Sequence, residues 1–452
     1  MIFADYALLP DGWVKNVRMG LKDGLIDTLV DGATAQPGDS HVSTLLPALS
    51  NLHSHSFQRA MAGMTEHRVA GRDSFWTWRD LMYRFLDHLT PAHVEAIAAM
   101  VFMEMQEAGY AAVGEFHYLH NQPGGARYDD MAEMTARIYA AASQTGIGLT
   151  HLPVLYSYGG AGAVELSAGQ KRFGNSVDQF AALLEKARHA ATALPADTVV
   201  GIAPHSLRAT TPADLARTLP LGQGAPIHIH VAEQPKEVAD ISAWLGARPV
   251  EWLLNNTNIG TNWCAIHATH MTDNETTQLA RSGAVAGLCP ITEANLGDGP
   301  FNGPGWLNAG GAFGIGSDSN VRISLPEELR TLEYSQRLRD IARNVMLLGE
   351  GSVGAAIYKG AAIGGAVAMG RNAGHIAIGA LADLVAIDLN HPTLCGLDID
   401  QALDGLVFAA PDGVVSDVWS AGRHQVRDGQ HVQREGILRG WRTTMAELRA
   451  AL

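Results

Sequence analysis

Cysteine is scarce in this chain of 452 residues: three, Cys264, Cys289 and Cys395, far apart and in no CxxC pattern. An odd, scattered set argues against a disulfide framework or a thiolate metal site, and points to reduced thiols in a cytoplasmic protein. Basic charge is short as well, with 32 Lys and Arg against 46 Asp and Glu, a net charge of -14. That balance disfavours nucleic acid and anionic membranes as partners, while leaving room for a local basic pocket. No apolar run approaches the ~18 residues of a membrane span. The opening residues, MIFADYALLPDGW, lack a basic stretch followed by an apolar one, so no signal peptide is expected. Low-complexity segments and internal repeats are missing too.

What remains is an ordinary globular composition, 47% hydrophobic and 17% charged. Short β-branched runs alternate with helical patterns. Strands are expected at Thr44–Leu52, Ala111–Phe116, Ile147–Leu155, Thr198–Pro204, Pro226–Ala232, Trp263–Ala268, Ala284–Cys289 and Ala312–Gly316. Helical spacing marks Pro91–Ala108, Asp129–Gln144, Val177–Ala193 and Leu325–Leu348. Eight such units predict a (β/α)8 barrel. A doubly wound open sheet is the alternative, but no glycine fingerprint follows an early strand. Residues 1–47 and 376–432 carry short strands and turns, which together predict a small β-sandwich built from both ends. The barrel then spans 48–375, and an amphipathic helix closes the chain at 433–452.

Nineteen histidines make one His-x-His expected by chance about once, so His53-Ser54-His55 means little alone. Its place matters more. Active sites of such barrels lie at the C-terminal strand ends. His53 and His55 end the first strand, His117 follows the second and His205 the fourth. His230 lies late in the fifth, Glu233 comes three residues on, His267 ends the sixth, and Asp318 follows the eighth. Residues one apart on a strand face one side, so His53 and His55 can offer two imidazoles to one ion.

Each has a plainer alternative. The His53–His55 pair could be a satisfied core pair, Asp318 a turn residue, Glu233 a charge at a helix start, and His267 a core histidine. His117, His151, His228 and His270 read as supporting residues. Three histidines with an aspartate suit one zinc ion, although iron and other divalent metals accept the same set. Zinc lowers the pKa of a bound water towards neutrality. His267 could then take a proton and Glu233 could give one to a substrate nitrogen, which suits hydrolysis at a C=N or C–N bond. No lysine ends strand four, so a bridged pair of metals is not expected.

These features resemble the amidohydrolase superfamily in its mononuclear deaminase branch. Longer stretches are similar to the formimidoylglutamate deiminase family: Asn51–Gly63, Phe75–Arg79, Glu115–His120, His205–Arg208, His228–Gln234, His267–His270, Gly314–Ser319 and Glu327–Arg339. The resemblance implies zinc at His53, His55, His230 and Asp318, one per subunit, with Glu233, His267 and Asp318 handling protons. It implies that Gln58, Tyr118, His205, Arg208 and Arg79 hold a small dicarboxylate, N-formimino-L-glutamate, in a homodimeric enzyme of histidine degradation. An arginine fork matches a carboxylate, in agreement. A nucleobase deaminase of the same branch is the alternative, and would need amide and aromatic anchors in place of two arginines. Release of formamide and a non-catalytic barrel are further readings that a product assay and metal analysis separate.

Overall fold

Eight short apolar segments supply the centre of the fold. The computed structural model describes residues 1–66 and 75–451; residues 67–74 of the expected barrel span and Leu452 of the expected last helix lie outside them. The barrel strands are Leu49–Ser54, Tyr110–His117, Gly148–Leu155, the pieces Val199–Val200 and Ala203–Pro204, Ile227–Val231, Trp263–His267, Val285–Leu288 and Ala312–Ile315. Almost every residue in them is buried, as parallel strands covered on both faces require. Neighbours pair in parallel. An Ile202–Ile227 bridge joins strands four and five, and a Ser54–Asp318 bridge joins eight to one. The seam is hydrogen bonded both ways, with Asp318 N–H donating to His53 O and His55 N–H to Asp318 O, each at 2.9 Å. The sheet is therefore a closed (β/α)8 barrel, as the strand and helix alternation implied.

Three expected elements are cut differently. The run Thr44–Leu52 divides at Pro47, which has no N–H to give a ladder. Ser40–Pro47 joins the terminal sheet and Leu49–Ser54 the barrel. Strand four breaks at Gly201-Ile202, where the chain changes partner: Gly201 N–H donates to His151 O on one side and Ile202 N–H to Pro226 O on the other. The helix expected over Leu325–Leu348 ends at Asp340. The buried Glu333 carboxylate takes the N–H groups of Val345 and Met346 at 2.9 and 2.8 Å, and folds the chain back.

The chain ends meet in one eight-stranded sheet. Leu384–Ile387 from the C-terminal part pairs antiparallel with Ser40–Pro47 from the N-terminal part. The sheet curls until Ala382 N–H reaches Gly24 O at 2.9 Å. Its inner faces enclose a core of Ile2, Ala4, Met19, Ile26, Leu45, Leu384 and Trp419. This is the β-sandwich, and neither end could enclose that core alone. Helices Val353–Ala368 and Ala402–Phe408 arise in stretches for which no helix was expected. Cys264 and Cys289 are buried, whereas Cys395 is exposed.

Candidate active site

The barrel seam places the first candidate ligands. His53 and His55 leave strand one, and the Asp318 backbone is pinned between them. His230 Nε2 lies 3.1 Å from His53 Nε2. Asp318 Oδ1 lies 3.4 Å from His53 Nε2 and 3.2 Å from His55 Nε2. Potential ligand atoms of His53, His55, His230 and Asp318 thus converge within 4.8 Å of one another. Phe116 packs edge-on against all three imidazoles, with centroids 4.5 to 5.3 Å away.

Tautomers test whether this set fits a cation. His55 Nδ1 donates to Phe116 O at 3.0 Å, and His230 Nδ1 to His205 O at 3.1 Å. Each neutral ring then turns an Nε2 lone pair inward. Burial takes the His53 pKa down to about 3 and holds His230 well below its ordinary value. Burial works against the ionised Asp318 carboxyl, but the adjacent His53 and His55 imidazoles outweigh it and hold its pKa well below the usual range. Inward lone pairs and an anion this close repel one another unless a cation lies among them. The residues fit a single metal ion.

Backbone strain surrounds the same point. Ala232, His267, Ala268 and Asp318 all have φ between 46° and 66°, in the left-handed region that side chains avoid. These residues end or follow strands five, six and eight. The turns aim Glu233, His267 and Asp318 at one another. His267 Nε2 stands 3.8 Å from Glu233 Oε1 and 3.9 Å from Asp318 Oδ2, with no hydrogen-bond partner among the described residues. Its other nitrogen, Nδ1, faces Glu293 Oε1 at 3.2 Å. Burial opposes a charge on His267, but Glu233, the Glu293 hydrogen bond and Asp318 together take its pKa up to about 10. A cation among the ligands would offset part of that pull.

Above the cluster lies a cavity lined by every residue expected from sequence to bind metal or substrate or to move protons, except His53, which is wholly buried beneath it. Gln58 Nε2 donates to Tyr118 Oη at 2.7 Å, and Gln58 Oε1 is buried without a partner among the described residues. His205 stacks at a tilt on His230, centroids 4.8 Å apart, and donates to or accepts from Ser206 Oγ at 3.0 Å. Arg208 Nη2 reaches Glu233 Oε2 at 3.3 Å. Arg79 enters from helix Phe75–Leu86 and lies 5.6 Å over the Tyr83 ring. The supporting histidines stay out of this cavity. His228 bonds Ala368 O at 2.8 Å and His270 bonds Asp298 O at 2.8 Å, while the His117 and His151 rings pack at a tilt with centroids 5.5 Å apart.

Sequence reasoning missed Glu237, Glu293, Met82, Tyr83 and Tyr156. Met82, Tyr83 and Tyr156 line the cavity; Glu237 and Glu293 hold residues that do. Glu293 sits four residues past Cys289, which follows strand seven, and its Oε1 also takes the Cys289 N–H at 2.9 Å. Helical spacing after a strand end is the signal that could have found it.

A barrel with a cluster of three histidines and one aspartate at its C-terminal rim is the architecture of an amidohydrolase, and the amidohydrolase family model matches residues 44–424. Residues 1–42 match the model described as formimidoylglutamate deiminase HutF, N-terminal domain. Formimidoylglutamate deiminase of Pseudomonas aeruginosa is 47% identical over 450 residues, 99% of each chain. The crystal structure of an amidohydrolase from Brucella melitensis superimposes with TM-score 0.95 at 48% identity, covering 99% of each chain. An adenosine deaminase from Xanthomonas campestris, crystallised with bound zinc, shares the fold alone, at TM-score 0.81 and 21% identity over 99% of this chain and 98% of its own. The chain belongs to the amidohydrolase family and, within it, to the formimidoylglutamate deiminases.

Proposed function

We infer that the protein hydrolyses N-formimino-L-glutamate to N-formyl-L-glutamate and ammonia, as a C–N hydrolase of histidine degradation. The observation that carries this reading is one cavity with a three-histidine, one-aspartate cluster at its floor and Arg79 and Arg208 on its walls. The metal, when bound by His53, His55, His230 and Asp318, supplies an activated water and a local positive charge. Arg208 and Arg79 grip the carboxylates of the substrate, helped by Gln58, Tyr118 and His205. Two arginine anchors favour a dicarboxylate over a nucleobase. His267 takes a proton from the attacking water, with the Asp318 carboxylate facing it from 3.9 Å. Glu233 delivers a proton to the imino nitrogen as the carbon becomes tetrahedral. The proton held on His267 then passes to the same nitrogen, the C–N bond breaks with ammonia leaving, and the hydroxyl proton returns to Glu233 as the formyl C=O forms.

The same reading takes zinc as the metal, a cytoplasmic setting and a homodimer. It divides the chain into a sandwich of 1–47 with 376–432, a catalytic barrel of 48–375 and a closing helix of 433–452. Among the described residues no helix is long and apolar enough to cross a membrane. Incubation with N-formimino-L-glutamate and product analysis tests the reaction. Equal yields of ammonia and N-formyl-L-glutamate support it; formamide, or no turnover by metal-loaded protein, overturns it.

A further inference from the structure

Glu237 is 1% exposed and does not line the cavity, yet it touches two residues that do. It sits in the first turn of helix Pro235–Leu245, whose N-cap Gln234 makes no side-chain capping bond. A glutamate at this third helical position ordinarily reaches back to the N-cap N–H. This one reaches further. Its Oε1 takes the N–H of Ala232 and its Oε2 the N–H of Glu233, both at 3.2 Å. Ala232 holds φ at 52°, a conformation that persists only when its surroundings over-determine it. The same Oε2 lies 3.6 Å from Arg208 Nε, while Arg208 Nη2 meets Glu233 Oε2 at 3.3 Å.

We propose that Glu237 is a positioning residue that locks Glu233 and Arg208 to each other, so that proton donor and carboxylate anchor address one substrate in register. Arg208 leaves strand four and Glu233 leaves strand five, and Glu237 ties the two strand ends. It also gives the buried guanidinium a counter-charge that stays when Glu233 changes its protonation during the reaction. Burial pushes the Glu237 carboxyl up, and Arg208 acts against that rise.

The inference rests on the reaction assigned above. Its test is Glu237→Gln, which keeps shape and removes charge, alone and combined with Arg208→Gln. KM and kcat for N-formimino-L-glutamate are measured, with metal content and thermal unfolding. Glu237→Gln raises KM by about tenfold or more and lowers kcat by a similar factor, at unchanged metal content. In the Arg208→Gln background its KM penalty disappears, because both changes remove one interaction, while its kcat penalty remains. KM penalties that multiply in the double variant overturn the proposal, as do unchanged kcat and KM in the single one. Glu237→Asp keeps the charge with a shorter reach and should recover KM more than kcat. A KM as poor as that of the glutamine variant contradicts it, and this variant decides the matter should glutamine prevent folding. Absence of turnover in the unsubstituted enzyme strikes at the assigned reaction instead.

Discussion

His53 and His230 bring two ring nitrogens to 3.1 Å, a spacing that suits two lone pairs shared by one cation. The proposed acid and base, Glu233 and His267, stand outside that cluster. Glu233→Gln keeps the size and the Arg208 contact but cannot give a proton. Its turnover should fall by roughly 10²–10⁴-fold, with metal content at the wild-type level by atomic absorption. Near-normal turnover would remove Glu233 from its role. The convergence of His53, His55, His230 and Asp318 was readable because barrel strands put them in phase, each in or just after an apolar run. Arg79, Gln58 and Tyr118 carry no such phase, and only family resemblance pointed to them. Glu237 and Glu293 were hidden for another reason. They act by holding Arg208 and His267 from helices behind the rim, and a glutamate in a helix's first turn looks like routine dipole matching.

At the scale of elements, strand ends were legible and interruptions were not. The break at Gly201-Ile202 comes from a change of partner strand, which no local pattern records. Helix Val353–Ala368 is the larger omission. Its sequence, VGAAIYKGAAIGGAVA, is rich in glycine, which costs about 1 kcal/mol per residue in a helix interior relative to alanine. Tertiary contact explains the glycines. A Cβ on Gly364 would lie 1.9 Å from Phe313 O in strand eight, and one on Gly360 2.9 Å from the Phe313 ring. The helix therefore presses its backbone onto the strand that delivers Asp318. Gly364→Ala forces it away. A loss of about 1–3 kcal/mol in denaturant unfolding is expected, together with weaker metal retention from a displaced seam. An alanine variant as stable as the parent would show that the helix can shift without cost.

For the whole molecule, the question is what seats the sandwich on the barrel. Asp197 precedes strand four, and its carboxylate meets two arginines. Arg371 Nη2 lies 3.1 Å away, and Arg423 Nη1, from sandwich strand Arg423–Arg427, lies 2.7 Å away. Arg371 is wholly buried and also pairs with Asp383 at 2.9 Å, just before sandwich strand Leu384–Ile387. Two arginines and two aspartates thus join residues from 197 to 423. Removing one partner of a buried ion pair leaves an uncompensated charge, so Asp197→Asn should cost about 3–5 kcal/mol near neutral pH. Acid gives the decisive comparison. Burial opposes the Asp197 carboxylate, but the Arg423 hydrogen bond and the charges of Arg371 and Arg423 prevail, and its folded pKa lies below the ordinary value of 3.8. A group with a depressed folded pKa stabilises the fold above its unfolded pKa and loses that contribution as pH falls through the folded one. Asparagine does not titrate. The gap between wild type and Asp197→Asn in urea unfolding should therefore be full at about pH 7 and narrow below about pH 4. A gap that stays constant down to about pH 2 would show that the carboxylate's charge does not hold the two parts together.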